Sequence, residues 1–278
     1  MTTNLIIGGT GKTGRRVGSR LQDRGLPVTS LSRPELDWAD PATWSSVEQP
    51  AATAYVTFAP DLTFPGAPDG VADIVERMAR SGVRRFVLLS GRGEPEAKLV
   101  EDRMIEVAER HGAEWGIVRC GVFMQNFDEG FLAPALEAGH LRFPAGPVRE
   151  PFLDVEDVAD VAVGMLLGDV PANRAYELTG PELMTFSEAT AVIAAASGRP
   201  ISFTEISTAE LAADLVGAGF SAEDAEALGD LFAHILDGHN EHLADGVREA
   251  LGRPARRFAE YAARAVAGGA WGGQAAAS

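Results

Sequence analysis

The chain has 278 residues, 46% of them hydrophobic and 23% charged, so it has enough apolar side chains to fold around a core rather than remain disordered. Its formal net charge of -16 predicts that it docks on neither nucleic acid nor an anionic membrane, because both attract clustered Lys and Arg. The single cysteine, Cys120, and an amino terminus without a basic leader favour a cytoplasmic location.

Short apolar strands alternate with amphipathic helices through the first two thirds of the chain. Strands are predicted at 5–7, 28–32, 54–59, 85–90, 115–119 and 175–179, and helices at 15–24, 69–81, 96–111 and 157–167. This alternation predicts an α/β fold with a Rossmann-type doubly wound, mostly parallel sheet and helices on both faces. Further helices are predicted at 187–197, 209–217, 221–236 and 255–267.

These patterns divide the chain into three predicted parts. Residues 1–180 form the Rossmann-type core, 181–266 form a smaller, mainly helical cap, and 267–278 form a flexible tail of small residues.

A glycine-rich turn joins the first predicted strand to the first helix. Gly8, Gly11 and Gly14 are three apart, which allows a tight turn, close approach of the backbone to a pyrophosphate and close helix packing. The helix amino terminus offers free N–H groups to the anion. The predicted cofactor-binding residues here are Gly8, Thr10, Gly11, Lys12, Thr13 and Gly14. The alternative is a tight turn that binds no ligand.

The same turn ends in Gly11-Lys12-Thr13, which is also how the phosphate loop of nucleotide-triphosphate hydrolases ends. That loop requires a glycine five positions before Gly11, where this chain has Ile6. The pattern therefore does not predict triphosphate hydrolysis.

The end of the second strand bears on the choice of cofactor. It runs into Ser32-Arg33-Pro34 without the carboxylate that usually binds the ribose hydroxyls of NAD. Arg33 therefore predicts NADP(H) as the preferred cofactor, with NAD(H) as the alternative. Lys12, Arg15 and Arg16 add positive charge near the turn, and Pro60, where the third strand ends, completes the predicted cofactor site. Alternatively, Arg33 is an ordinary solvent-facing residue.

Several segments along nearly the whole chain resemble the NmrA-like group of atypical short-chain dehydrogenases/reductases. They are Gly8–Gly14, Gly82–Ser90, Trp115–Arg119, Phe123–Asn126, Pro151–Val155, Asp157–Asp160 and Tyr176–Gly180. The second half also resembles bacterial relatives of the ergot-alkaloid reductases, which reduce an iminium with NADPH. A neighbouring branch contains NAD(P)H:quinone reductases and non-catalytic redox sensors.

The resemblance implies that the nicotinamide lies over the carboxyl ends of the strands. Ser90 would then lie beside the nicotinamide, and Phe123 and Asn126 would lie in a loop between cofactor and substrate. These three are the predicted catalytic residues. A homodimer is a further expectation for this group. The alternative for Phe123 and for Phe127 is a place in the core.

Two aspartates would lie at the return to the last strand and helix. The resemblance places Asp154 and Asp157 there, and Asp157 has the alternative of a helix N-cap.

The chain lacks the Tyr-x-x-x-Lys pair with which most short-chain dehydrogenases transfer a proton. Neither Tyr55, Tyr176 nor Tyr261 has a lysine four residues later, and Lys98 is preceded at that spacing by Glu94. Hydride transfer to an activated acceptor of iminium, quinone or enone type needs positioning more than an acid. We therefore expect an NAD(P)H-dependent reductase of a small organic molecule. The alternative is a regulatory protein that senses NADP(H) without turnover.

Three other groups of residues predict no separate chemistry. His234, His239 and His242 are spaced by five and three, which does not put them on one helix face, so no metal site is predicted. Ser90-Gly91 lacks the preceding glycine of a serine-hydrolase elbow. Glu94, Glu96 and Glu101 are predicted to form the solvated start of a helix, with a role as acids or cation-binding groups as the alternative.

Overall fold

The computed structural model describes residues 3–272, which fold into two compact units. The first unit takes the chain up to Cys120, Val155–Leu178 and Ala244–Pro254, and the second takes Gly121–Asp154, Thr179–Leu243 and the chain from Ala255 onward. The predicted division had a single boundary near residue 180. The structure differs because the backbone of segment 121–154 pairs with residues beyond 179, as where Glu150 and Met184 exchange hydrogen bonds of 2.8 and 3.0 Å.

Eight strands and ten α-helices make up the regular structure of the described residues. The strands are β1 Thr3–Ile7, β2 Val28–Leu31, β3 Ala51–Val56, β4 Arg85–Gly91, β5 Glu114–Cys120, β6 His140–Phe143, β7 Arg174–Leu178 and β8 Ser202–Glu205. The helices are α1 Lys12–Asp23, α2 Ala67–Arg80, α3 Pro95–Arg110, α4 Ala133–Glu137, α5 Val155–Leu167, α6 Phe186–Ser197, α7 Thr208–Gly217, α8 Ala222–Ile235, α9 Gly246–Leu251 and α10 Phe258–Ala267. Among residues 3–272, no helix combines the length and apolar character needed to cross a membrane.

The first unit is built on a six-stranded sheet in the order β2-β1-β3-β4-β5-β7, and every neighbouring pair is parallel. Helices α2 and α3 pack on one face, where Phe86 and Leu88 of β4 join their apolar side chains in one core cluster. Helices α1 and α5 pack together on the other face, and Met165 of α5 lies against Gly116 of β5. The strands are largely apolar because both faces are covered.

Helices α1 and α5 are joined by half-buried ion pairs. Arg16 Nε lies 2.5 Å from Glu156 Oε1, and Arg20 binds both Glu156 and Asp160, the latter at 2.8 Å. Burial raises the pKa of Glu156, but the hydrogen bonds from Arg20 and Arg16 outweigh it and hold the pKa below its usual range.

The second unit has a core of aromatic rings. Phe127 is fully buried, and its ring lies 5.3 Å from those of Phe152 and Phe258, measured between centroids. Trp271 is 1% exposed and donates its indole N–H to the Phe127 carbonyl at 2.8 Å. The flexible tail predicted from residue 267 therefore differs from the structure as far as residue 272, and its remaining residues, 273–278, lie outside the described residues. Strands β6 and β8 pair in parallel in this unit.

The pKa of Glu156 leads to a prediction for acid stability. A carboxyl whose pKa is lower in the folded state stabilises the fold above the pKa of the unfolded chain, about 4.3, and loses that contribution as pH falls through the folded value. We expect Glu156→Gln to lower the free energy of unfolding by about 1 kcal/mol at pH 7, with the deficit shrinking toward pH 3. Urea unfolding at a series of pH values measures this. Glu249→Gln, which removes an exposed pair with Arg174, is the control and should leave the pH dependence unchanged.

Candidate functional site

The glycine turn between β1 and α1 is closed by backbone contacts that leave no room for side chains. Gly8 has a φ of +81°, and its N–H donates to the Leu31 carbonyl at 2.8 Å. A Cβ at Gly14 would lie 2.2 Å from the Gly8 carbonyl oxygen, and one at Gly9 would lie 2.5 Å from the Ser30 side chain. The glycines therefore bring the first turn of α1 directly against the end of β1, as a dinucleotide-binding turn requires.

The amino terminus of α1 is suited to an anion. Gly11 is its N-cap and supplies no capping side chain, so the first N–H groups are not satisfied by a cap. The first turn carries no acidic residue, which leaves the positive end of the helix dipole without a neighbouring carboxylate. Lys12 is the first residue of this helix, and Thr13 and Gly14 are buried behind it.

The order in which successive strands are added to the sheet reverses next to this turn. The chain passes from β1 to β2 on one side, and β3 then pairs on the other side of β1, and doubly wound sheets bind their ligands in the crevice expected at such strand ends. Thr57, just after β3, donates its hydroxyl to the Ile7 carbonyl at 2.9 Å and packs against Gly8. Pro60 follows on the surface. The structure thus brings the end of β3 to the glycine turn.

Arg33 lies at the rim beside the same turn. Thr10 donates both its N–H and its hydroxyl to Ser32 Oγ, each at 3.1 Å, which ties the end of β2 to the turn. The exposed guanidinium of Arg33 makes no ion pair or hydrogen bond to any of residues 3–272. Its charge is therefore available to a ligand.

The other predicted basic residues differ in their surroundings. Lys12 and Arg15 belong to the first turn of α1, with Arg15 exposed. Arg16 is one turn of helix further on and binds Glu156, so a carboxylate offsets its positive charge. The sequence could not show this, because the carboxylate partner is 140 residues away.

Ser90, at the end of β4, belongs to a buried hydrogen-bonded group. Its hydroxyl donates to Glu101 Oε1 at 2.7 Å, and Arg119 binds the same carboxylate with two N–H groups at 2.8 and 2.6 Å. Glu101 is 1% exposed, so the prediction that it belongs to a solvated helix start is wrong. The signal was its position on the apolar stripe of α3, between Ala97 and Met104.

A second ion pair continues this group across the sheet. Ser90, Arg119 and Glu177 are register partners on β4, β5 and β7, so their side chains stand on one face. Buried Arg92, just beyond β4, donates its Nε to Glu177 at 2.6 Å. We call these five residues, Ser90, Arg92, Glu101, Arg119 and Glu177, the charged layer. Glu101 raises the pKa of Arg119 through the hydrogen bonds between them, against a smaller opposing effect of burial.

Phe123 and Asn126, the other predicted catalytic residues, belong to the second unit. Phe123 forms a bridge with Leu153, and Asn126 ends a short 3-10 helix that begins at Met124. Both side chains are partly buried. Phe127, which follows, is core, as its alternative interpretation predicted.

The two aspartates of this region lie at the start of α5, where the resemblance implied. Asp154 is fully buried in the second unit, accepting from Gln125 at 2.8 Å and pairing with Arg264. Asp157 is the third residue of α5 rather than an N-cap, and it lies 2.7 Å from Arg253 in the first unit. Both are held in ion pairs that sequence spacing did not predict.

None of the three tyrosines is placed as an exposed acid. Tyr55 and Tyr176 are buried in β3 and β7, and burial raises the pKa of each phenol. Tyr261 lies in α10 and donates to Asp128 at 2.7 Å; burial, followed by the nearby Asp128 carboxylate, raises its pKa.

Comparison with known proteins decides the family. An NAD(P)H azoreductase from Xenophilus azovorans is 31% identical to the chain over 96% of the chain and 99% of its own length. An agroclavine dehydrogenase from Claviceps fusiformis is 28% identical, over 93% of the chain and 96% of its own length. The chain belongs to the NmrA-like family of atypical short-chain dehydrogenases/reductases.

Solved structures agree with the fold of this family. The triphenylmethane reductase of Citrobacter sp. complexed with NADP(H) aligns with a TM-score of 0.73 at 17% identity, over 95% of the chain and 99% of that structure. No family model matches the chain. The predicted Rossmann-type fold, the NmrA-like resemblance and the oxidoreductase class are confirmed.

The close approach at Gly14 leads to a prediction for this NmrA-like reductase. Gly14→Ala places a methyl group against a backbone oxygen that only a shift of the turn can relieve, so we expect a loss of about 2 kcal/mol in the free energy of unfolding. Gly18→Ala, one turn later in α1, meets only ordinary contacts at 3.7 Å and should instead stabilise by about 0.5 kcal/mol. Thermal or urea unfolding of the two variants measures the difference. Equal effects would contradict the argument.

Proposed function

We propose that the protein is an NADPH-dependent reductase that transfers hydride to a conjugated, electron-poor organic acceptor. The observation that carries the proposal is the junction of β1 and α1, where side-chain-free glycines meet an uncapped helix terminus and where Arg33 is unpaired among residues 3–272. The azoreductase and the triphenylmethane reductase, by their names, reduce conjugated molecules, which supports the acceptor class.

The residues present fit a dinucleotide phosphate. The turn can be narrow because Gly8, Gly9 and Gly14 have no Cβ that would overlap neighbouring atoms. The first N–H groups of α1 would bind the pyrophosphate. Arg33 and the hydroxyl of Ser32 would bind the 2′-phosphate, because no carboxylate lies at the end of β2 to repel it. NADPH is therefore preferred over NADH. Pro60 and Thr57 would border the crevice on the β3 side.

NADPH supplies a hydride. The chain has to position and shield the reacting molecules, and it does not have to protonate the product. Ser90 would lie beside the nicotinamide. Glu101 is bound by Arg119 on both oxygens, so the charged layer offers no acidic proton to a product. The buried tyrosines are poor acids, because burial raises the pKa of their phenols.

Neither Glu101 nor the tyrosines can protonate the product during the step, and this limits the class of acceptor. Hydride addition to an iminium carbon gives a neutral amine directly, and addition to a quinone, enone or azo bond gives a delocalised anion that solvent can protonate afterwards. Hydride addition to a simple ketone gives a strongly basic alkoxide, which needs a proton during the step. We therefore place iminium, quinone, enone and azo compounds within the substrate class and simple ketones outside it.

Substituting Arg33 tests the cofactor site. We expect Arg33→Glu to weaken NADPH binding at least about tenfold, because an ionic hydrogen bond to the 2′-phosphate becomes a repulsion, and to leave NADH binding within about twofold. Fluorescence titration gives both dissociation constants. Arg24→Glu makes the same charge change at the far end of α1 and should alter neither. Unchanged NADPH affinity in Arg33→Glu would contradict the assignment.

Steady-state oxidation of NADPH tests the reaction. With cyclic imines, quinones and azo dyes we expect turnover at neutral pH, and with cyclohexanone a rate at least about a hundredfold lower, the usual contribution of a positioned acid. Binding of NADPH without turnover of any of these acceptors would favour the alternative function, a protein that senses the redox state of NADP(H).

A further inference from the structure

The hydrogen-bond direction at Ser90 is determined by its partner. Glu101 Oε1 is a carboxylate oxygen and can only accept, so the 2.7 Å contact uses the single hydrogen of the serine hydroxyl. Ser90 can therefore offer another group only the lone pairs of Oγ. A serine of this kind is an acceptor, whereas a free serine can be either donor or acceptor.

The charged layer keeps Glu101 a hydrogen-bond acceptor and fixes the orientation of its carboxylate. Arg119 binds both carboxylate oxygens, which fixes the plane of the carboxylate. Glu177 stands beside Arg119 in register on β7 and is itself held by Arg92. Glu101 and Arg92 are each within 2% of complete burial, so one member of each ion pair is shielded from solvent, while Arg119 and Glu177 are partly exposed. Rotating the Ser90 hydroxyl away would leave a buried carboxylate lone pair unsatisfied.

We infer that Glu101 and Arg119 are positioning residues that hold Ser90 Oγ as a hydrogen-bond acceptor for the carboxamide N–H₂ group of the nicotinamide. The inference rests on the proposed function, which places Ser90 beside the nicotinamide ring. A carboxamide held by its nitrogen has its carbonyl turned away from Ser90. The pair would thus set the rotation of the carboxamide relative to the ring.

A cofactor analogue isolates this hydrogen bond. In the reduced 3-acetylpyridine analogue of NADPH a methyl group replaces the carboxamide N–H₂, while the carbonyl oxygen remains. We measure the dissociation constants of NADPH and of the analogue by fluorescence titration, and take the ratio of analogue to NADPH for each variant. Ser90→Ala should lower this ratio about fivefold, the usual effect of one hydrogen bond, by weakening NADPH alone. Ser90→Thr keeps the hydroxyl and should retain the ratio of the unsubstituted protein.

A substitution of the positioning residue tests the indirect effect. In Glu101→Leu the acceptor is removed, so the Ser90 hydrogen is free to turn toward the carbonyl oxygen that both cofactors carry, and we expect the same fall in the ratio as in Ser90→Ala. The double variant Ser90→Ala/Glu101→Leu should show no further fall. Because each ratio compares two ligands on one protein, a general loss of stability cancels. Ser46→Ala removes another buried hydroxyl, one with no hydrogen-bond partner, and should leave the ratio unchanged.

The outcomes separate this inference from the proposed function. Failure of the unsubstituted protein to bind NADPH would refute the proposed function itself. If NADPH binds but Ser90→Ala weakens both cofactors equally, Ser90 donates to the carbonyl or acts only on the fold, and the inference is wrong. A ratio that falls in Ser90→Ala but not in Glu101→Leu would also overturn it, since Glu101 would then not set the direction of the hydrogen bond.

Discussion

The contact between the first turn of α1 and the end of β1 is the constraint on which the candidate site depends. A backbone carbonyl lies 2.2 Å from where a Cβ at Gly14 would be, so helix and strand meet as bare backbone. This approach aims the uncapped N–H groups of α1 at the carboxyl edge of the sheet. Thr57 and Ser30 pack on the same glycines from β3 and β2. Three strand ends are thereby drawn together around one small turn, and the crevice is the space they leave.

Electrostatics follow from this geometry in a chain of net charge -16. The protein does not gather a large basic patch for its cofactor, since Arg16 and Arg20 bind α5. Instead, acidic groups are excluded from the first turn of α1 and from the end of β2, and Arg33 is left unpaired among the described residues. A short-range arrangement of N–H groups and one guanidinium can bind a phosphate although the overall field opposes it. Affinity for the cofactor is then a local property of the crevice.

The buried charges of the first unit hold side chains in position in addition to stabilising the fold. A bidentate arginine–carboxylate pair with little exposure has lost much of its hydration, so its net contribution to folding is small compared with the cost of removing one partner. In the charged layer the main effect of the pair is on geometry, because Glu101 and Arg119 hold each other and Ser90 in one arrangement at the end of β4. A layer of fixed charges at the carboxyl edge also separates the apolar core between the sheet and helices α2 and α3 from the region where hydride transfer is proposed.

The amino-acid sequence by itself determined the order and type of most elements, since apolar runs and helical periodicity are local properties: the six strands of the main sheet and eight of the helices were predicted within a few residues of their observed bounds. It also determined the glycine turn and the absence of a Tyr-x-x-x-Lys motif.

The sequence missed β6 and β8, short strands with exposed, polar residues such as His140 and Glu205. It also placed one boundary between core and cap, whereas pairing of Glu150 with Met184 unites distant segments. Only the tertiary structure decided that Arg16 binds Glu156, that Glu101 is buried and that Asp157 pairs with Arg253. The partners in these pairs lie between 18 and 140 residues apart in the chain, and which opposite charge each residue meets is decided by how the helices and strands pack.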